Sequence, residues 1–291
     1  MFKLRPLAPG IGSEVSEIDL AGPLSDEIIA ALRRIWLDRT VLLFRGQELA
    51  PPQQIAFAER LGEVVYYNLS ANALKSHPQV LVLSNVHEDN RPVGTPASGR
   101  YWHSDGHYRE VPPGASFLYA VEVPRAGGET QFANMVLAYE SLADGLKGRI
   151  DGRQIVVDQA FARDYHYPRP LKPEATEAQR VRWQSAVQPL VRTHPETGRR
   201  ALYVGGGAPW RIVGMSDAEG APLITYLQNL ATLPQFTYTH SWQPGDAILW
   251  DNRSTIHRAS LYDPSERRRM HRVTIAGDRP YFTPGLGPVW Q

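Results

Sequence analysis

Cysteine is absent from all 291 residues of the chain. Its absence excludes disulfides, cysteine-bearing zinc sites, iron–sulfur clusters and a thiol nucleophile. Any bound metal must be held by His, Asp or Glu. Lysine is scarce too: Lys3, Lys75, Lys147 and Lys172 are the only ones among the 31 basic residues, and we give this arginine bias no functional weight. No stretch approaches the roughly 18 apolar residues of a membrane span. The first twenty residues contain no apolar run of signal-peptide length. A soluble cytoplasmic protein with no membrane partner is expected. The formal net charge of +1, with Arg and Asp/Glu dispersed, leaves no basic stripe for nucleic acid. The expected partner is a small-molecule substrate.

What is present is enough to build a core, since 42% of the residues are hydrophobic. Residues 25–39 place Ile28, Ile29, Leu32, Ile35 and Trp36 at helical spacing, with Asp26 and Glu27 in the first turn, which predicts an amphipathic helix. Val41-Leu42-Leu43-Phe44 reads as a buried strand, and residues 51–61 as a second, short helix with proline near its start. Beyond these the signals are short β-runs at 80–83, 117–123, 201–204, 247–250 and 272–276, separated by Gly, Pro, Asp and Asn. The fold class is therefore mainly β with flanking helices, a sandwich or barrel in one domain spanning 1–291. Around residues 160–190 lies an excursion of the kind that covers a site.

In Tyr101-Trp102-His103-Ser104-Asp105, an imidazole and a carboxylate sit two residues apart and, in an extended segment, point to one side. His257 follows an apolar strand near the C-terminus. Two histidines and a carboxylate on one face of an octahedron leave positions open, as iron(II) oxygen chemistry needs. With 9 histidines in the chain, a His-x-Asp pair alone carries little. Read alone, the residues also leave open a divalent-metal hydrolase using His103, Asp105 and His107, or a non-catalytic binding protein.

The wider pattern decides between them. The early helix with Val41-Leu42-Leu43-Phe44-Arg45, the His-Ser-Asp motif, Gly127-Gly128-Glu129-Thr130, Trp242-Gln243-Pro244-Gly245-Asp246 through His257, and the tract Arg268-Arg269-Met270-His271-Arg272 occur in one order and spacing. Together they resemble the taurine dioxygenase/2,4-D dioxygenase (TauD/TfdA) family of iron(II)/2-oxoglutarate enzymes. The resemblance implies a double-stranded β-helix, or jelly roll, and a homo-oligomer. It implies iron(II) on His103, Asp105 and His257, with 2-oxoglutarate and O₂ as co-substrates. It further implies that the far carboxylate of the keto acid pairs with Arg272 and Thr130, and that a C–H bond is oxidised with release of succinate and CO₂.

The substrate is less legible. The loop after the second helix lacks the histidine of taurine-acting members, which counts against taurine itself. Tyr66, Tyr67, Asn68, Arg100, His107, Tyr108, His166 and Trp210 are candidates for a polar and aromatic pocket. His107 would share the face of His103 and Asp105 if the strand continued.

Overall fold

Alternate residues of Val41–Phe44 go to opposite sides of a sheet: Leu42 and Phe44 to one hydrophobic cluster, Val41 and Leu43 to another. The same division holds along Ala247–Asp251, where Ala247 and Leu249 face one way and Ile248 and Trp250 the other. A strand covered on both faces reads as an unbroken apolar run, which is why four hydrophobic residues in a row predict a strand here and not more helix.

The computed structural model describes residues 2–66, 72–88, 91–94, 99–166, 176–177, 183–205 and 210–284. Its main sheet has eight strands in the order Lys3–Ala8, Ile11–Ser16, Val41–Phe44, Ala247–Asp251, Ala115–Glu122, Arg269–Ile275, His77–Ser84 and Ala73–Leu74. Every pairing is antiparallel except that of Ile11–Ser16 with Val41–Phe44.

Helix Asp26–Arg39 covers one face through Ile29, Leu32 and Trp36, and helix Pro51–Glu59 covers it through Ile55, Phe57 and Ala58. The first is capped by Ser25, whose hydroxyl accepts from the Ile28 amide. It stops at Thr40, which has φ of 65° and turns the chain straight into the Val41 strand. On the other face lies a three-stranded antiparallel sheet, with Thr130–Asn134 between Thr237–His240 and Thr255–Ala259. Phe132 of that sheet packs with Leu118, Ile248, Trp250 and Met270 of the large one.

A third cluster gathers helices Met135–Glu140 and Asp217–Ala231 around the strands Gln154–Asp158, Val191–Thr193 and Arg200–Leu202. Helix Asp217–Ala231 is absent from the sequence reading, because Gly220 and Pro222 in its first turns look like a turn. The box formed by Ser216 and Glu219 carries its start nonetheless. Of the expected site-covering excursion, the helix Gln159–His166 is seen, whereas 167–175 and 178–182 lie outside the described residues.

Candidate metal centre

His103 and His257 come from two distant stretches of sequence and meet as an isolated antiparallel bridge. The amide of His103 donates to the carbonyl of His257 at 2.9 Å, and the amide of His257 to the carbonyl of His103 at 2.8 Å. Their rings stand 4.2 Å apart. Asp105 joins them, with Oδ1 3.9 Å from His103 Nε2, and one ligand atom from each of the three lies within 4.8 Å of the others. No other such group of His, Asp or Glu occurs among the described residues.

The donor set fits a divalent metal. His103 Nδ1 donates to the Tyr101 carbonyl at 2.8 Å, fixing the ring and leaving Nε2 as the free lone pair. Burial holds both imidazoles neutral: it pushes His103 down against the pull of Asp105, and it pushes His257 down to about 3, helped by His103. Burial alone would raise the Asp105 carboxyl. Arg272, the two histidines and the Ser116 hydroxyl outweigh it and hold the group ionised, far below the usual carboxylate range.

Local backbone is shaped around this set. Gly99 has φ of 73°, and a Cβ there would lie 2.8 Å from Cε1 of His103, so only glycine lets the chain pass beside the ligand ring. Gly106, at φ of 62°, ends the extended run after Asp105 and sends the chain into a turn. The strand that would have kept His107 on the face of His103 and Asp105 therefore does not continue. His107 is buried with its ring 4.1 Å from that of Tyr203 and is outside the three-ligand group. The His103/Asp105/His107 set of a hydrolase is not what the structure assembles.

A cavity opens beside the two histidines, lined by Gly99, Arg100, Thr130, Trp250, Arg268 and Arg272 among others. Arg272 Nη1 donates to Asp105 Oδ1 at 2.9 Å, a different partner from the keto-acid carboxylate expected for it. Arg268, which the sequence reading left without a role, is buried in the wall with its guanidinium 5.8 Å from the Tyr262 ring. Burial pushes its pKa down, and no carboxylate among the described residues opposes that. Thr130 Oγ1 accepts from Trp242 Nε1 at 2.9 Å.

The other candidates scatter. Arg100 lines the cavity, exposed, with no side-chain partner among the described residues. His166 stacks on Tyr101 at 3.8 Å and so ties the excursion helix to the metal motif. Tyr108 and Trp210 pack with the third core cluster, the latter donating through Nε1 to the Gly205 carbonyl. Tyr66 is exposed and away from the cavity lining. Tyr67 and Asn68 lie outside the described residues.

Residues 3–274 match the family model described as taurine catabolism dioxygenase TauD, TfdA family. The chain belongs to the TauD/TfdA family. One relative within it is an alpha-ketoglutarate-dependent 2,4-dichlorophenoxyacetate dioxygenase of Cupriavidus pinatubonensis, 34% identical over 94% of this chain and 97% of that protein. Among solved structures, a taurine dioxygenase from Burkholderia xenovorans superposes with a TM-score of 0.81 at 32% identity, covering 98% of this chain and 92% of its own. AAD-2 in complex with Mn(II) and N-oxalylglycine superposes with a TM-score of 0.77 at 32% identity, covering 96% and 99%. These TauD/TfdA matches span both the His-Ser-Asp motif and the distal histidine.

Proposed function

We propose that this chain hydroxylates an aliphatic C–H bond of a small organic anion, with iron(II) held by His103, Asp105 and His257. It is an oxidoreductase of the 2-oxoglutarate-dependent dioxygenase class. Bound at the three ligands, iron(II) supplies the O₂ activation that couples decarboxylation of 2-oxoglutarate, giving succinate and CO₂, to oxidation of the substrate. The observation that carries this reading is the convergence of three ligand atoms within 4.8 Å beside a cavity walled by arginines. The large sheet facing the three-stranded one, with ligands between, supports a jelly roll as the frame.

The protein's own residues bind, orient and shield. Arg268, buried and with no carboxylate partner among the described residues, is the cation suited to the far carboxylate of 2-oxoglutarate, with the hydroxyl of Thr130 on the same wall. Arg272 neutralises Asp105. Trp250, its ring 4.7 Å from that of His257, gives the cavity an aromatic wall.

A dication and three guanidinium groups face a single ligand carboxylate, so a dianionic keto acid leaves the site with positive charge in excess. Arg100, which has no side-chain partner among the described residues, is the cation we assign to the anionic group of the substrate. The names of two relatives accord with this, one acting on an aryloxyacetate and one on a sulfonate.

Anaerobic addition of iron(II) and 2-oxoglutarate should give a weak visible charge-transfer band. Admission of O₂ with a panel of carboxylates, sulfonates and sulfate esters should release succinate in step with substrate loss. His257→Ala should abolish both. A wild-type protein that develops no band, or a His257→Ala variant with full turnover, would remove the metal reading; a band with no succinate from any panel member would favour a binding protein.

Arg100→Ala should raise KM for the anionic substrate by roughly tenfold, the order of one charge-assisted hydrogen bond partly open to water. KM for 2-oxoglutarate should stay unchanged. Equal effects on both would mean that Arg100 does not touch the substrate.

A further inference from the structure

We infer that Trp250, Asn252 and Ser116 form a one-way hydrogen-bond relay that positions the Asp105 carboxylate and so sets how tightly the site takes its divalent metal. The inference rests on the metal reading above, and its test separates the two.

The relay's direction follows from the chemistry of its members. An indole N–H can only donate, and Trp250 Nε1 lies 2.8 Å from Asn252 Oδ1. The Asp105 amide points at the same oxygen from 3.4 Å. Two donors converging on one atom fix which end of the Asn252 amide is oxygen. Its Nδ2 therefore faces Ser116 Oγ, at 3.1 Å, and donates to it. A serine hydroxyl that accepts from Asn252 has one proton left to place, and it goes to Asp105 Oδ2 at 2.6 Å. Donor-only indole at one end and acceptor-only carboxylate at the other leave no second arrangement of protons.

Burial keeps the relay from exchanging with water. Ser116 is fully enclosed, Trp250 and Asn252 are each 1% exposed, and Asp105 is 7% exposed. The backbone is pinned as well, since Ser104 Oγ donates to the Asn252 carbonyl at 2.7 Å. This ties the His-Ser-Asp motif to the strand end that leads to His257.

The consequence falls on Asp105. With Oδ2 taken by Ser116, Oδ1 is the oxygen that faces His103 and Arg272. Asp105 is thus set to offer a metal one oxygen, in one orientation, before any metal arrives. Partners of this kind, one bond removed from the metal, change affinity by about 10- to 100-fold when lost.

The test titrates the full-length metal-free protein with Co(II), which reports both affinity and ligand geometry through its visible spectrum. Ser116→Ala should weaken Co(II) binding by about tenfold or more and alter the spectrum. Trp250→Phe, which keeps a ring and removes the donor, should shift both in the same direction. Asn252→Asp is the sharpest variant: it is nearly the same shape, but its oxygen draws the Ser116 proton away from Asp105. The relay predicts weaker metal binding, whereas an added negative charge acting simply through space would strengthen it.

Circular dichroism and thermal melting identify any variant that fails to fold, in which case the other two decide. Binding within twofold of wild type with an unchanged spectrum in Ser116→Ala and Trp250→Phe, or tighter binding in Asn252→Asp, overturns the relay. His257→Ala, run alongside, must lose Co(II). If it does not, the metal reading itself has failed.

Discussion

Arg268→Ala is expected to weaken 2-oxoglutarate binding by roughly 30- to 5,000-fold, the range for removing one partner of a buried, hydrogen-bonded charge pair at about 2–5 kcal/mol. The guanidinium is already desolvated in the cavity wall, where burial pushes its pKa down and, among the described residues, the Tyr262 ring is the group beside it. The cost of burying it is thus borne by the fold, and a dicarboxylate recovers it on binding. Titrating the visible band of the iron(II) protein with 2-oxoglutarate measures the loss directly. Arg268→Lys should fall between, because an ammonium keeps the charge but not the two-pronged geometry. Arg272→Ala should behave differently: its partner is Asp105, so metal affinity should change before keto-acid affinity does. If Arg272→Ala shows the large loss for 2-oxoglutarate and Arg268→Ala shows none, the assignments are reversed.

Asp251→Asn is expected to cost about 3–5 kcal/mol of folding stability, read from urea or thermal unfolding, because it removes the buried carboxylate of the pair and leaves Arg253 with Glu196 alone. Asp251 is 1% exposed and accepts from Arg253 Nε at 2.9 Å, from Arg253 Nη2 at 2.7 Å and from His194 Nε2 at 3.0 Å. Arg253 goes on to Glu196 at 2.7 Å, and Glu196 to Arg33, so two carboxylates and two arginines in series tie the end of a central strand to the outer helix. Burial would raise the Asp251 carboxyl, but Arg253 and His194 dominate and hold it far below its unfolded value. A depressed folded pKa contributes stability that is fully present above the unfolded value of about 3.9 and is lost progressively as pH falls. Wild-type stability should therefore decline with acid from about pH 5 downward, and Asp251→Asn should flatten that slope. An Asp251→Asn variant that melts with wild type at neutral pH would show that the cluster contributes nothing net.

The convergence of His103, Asp105 and His257 was legible because the chemistry proposed for them demands rare residues at fixed spacing. The central strands were legible because burial on both faces forbids polar residues. The fate of the arginines was not. In Arg267-Arg268-Arg269-Met270-His271-Arg272, Arg267 and Arg269 pair with Glu122 outside, whereas Arg268 and Arg272 both line the cavity. Period-two alternation puts residues 268, 270 and 272 on one side. It cannot say which arginine meets Asp105 and which is left for a ligand, since that depends on the bulge between Arg269 and Met270 and on what stands opposite.

Ser116 gave no signal at all, being one serine in an apolar strand. Asn252 gave none either: Trp250 is two residues away, but Ser116 and the Asp105 amide reach it from stretches distant in sequence. The expected placement of His107 on the face of His103 and Asp105 failed for a local reason, the positive φ of Gly106, which a Gly in the sequence permits but does not require.

The reciprocal amide bonds between His103 and His257 have a bearing on biosynthesis. Half the chain separates the two residues, so during translation the first imidazole and Asp105 leave the ribosome long before their partner exists. A nascent chain cannot hold its ion in the native manner until the last strands have emerged and closed the sheets. On the proposed ligand set, loading with metal is therefore a late event, and any product truncated ahead of residue 257 would lack one of the three ligands.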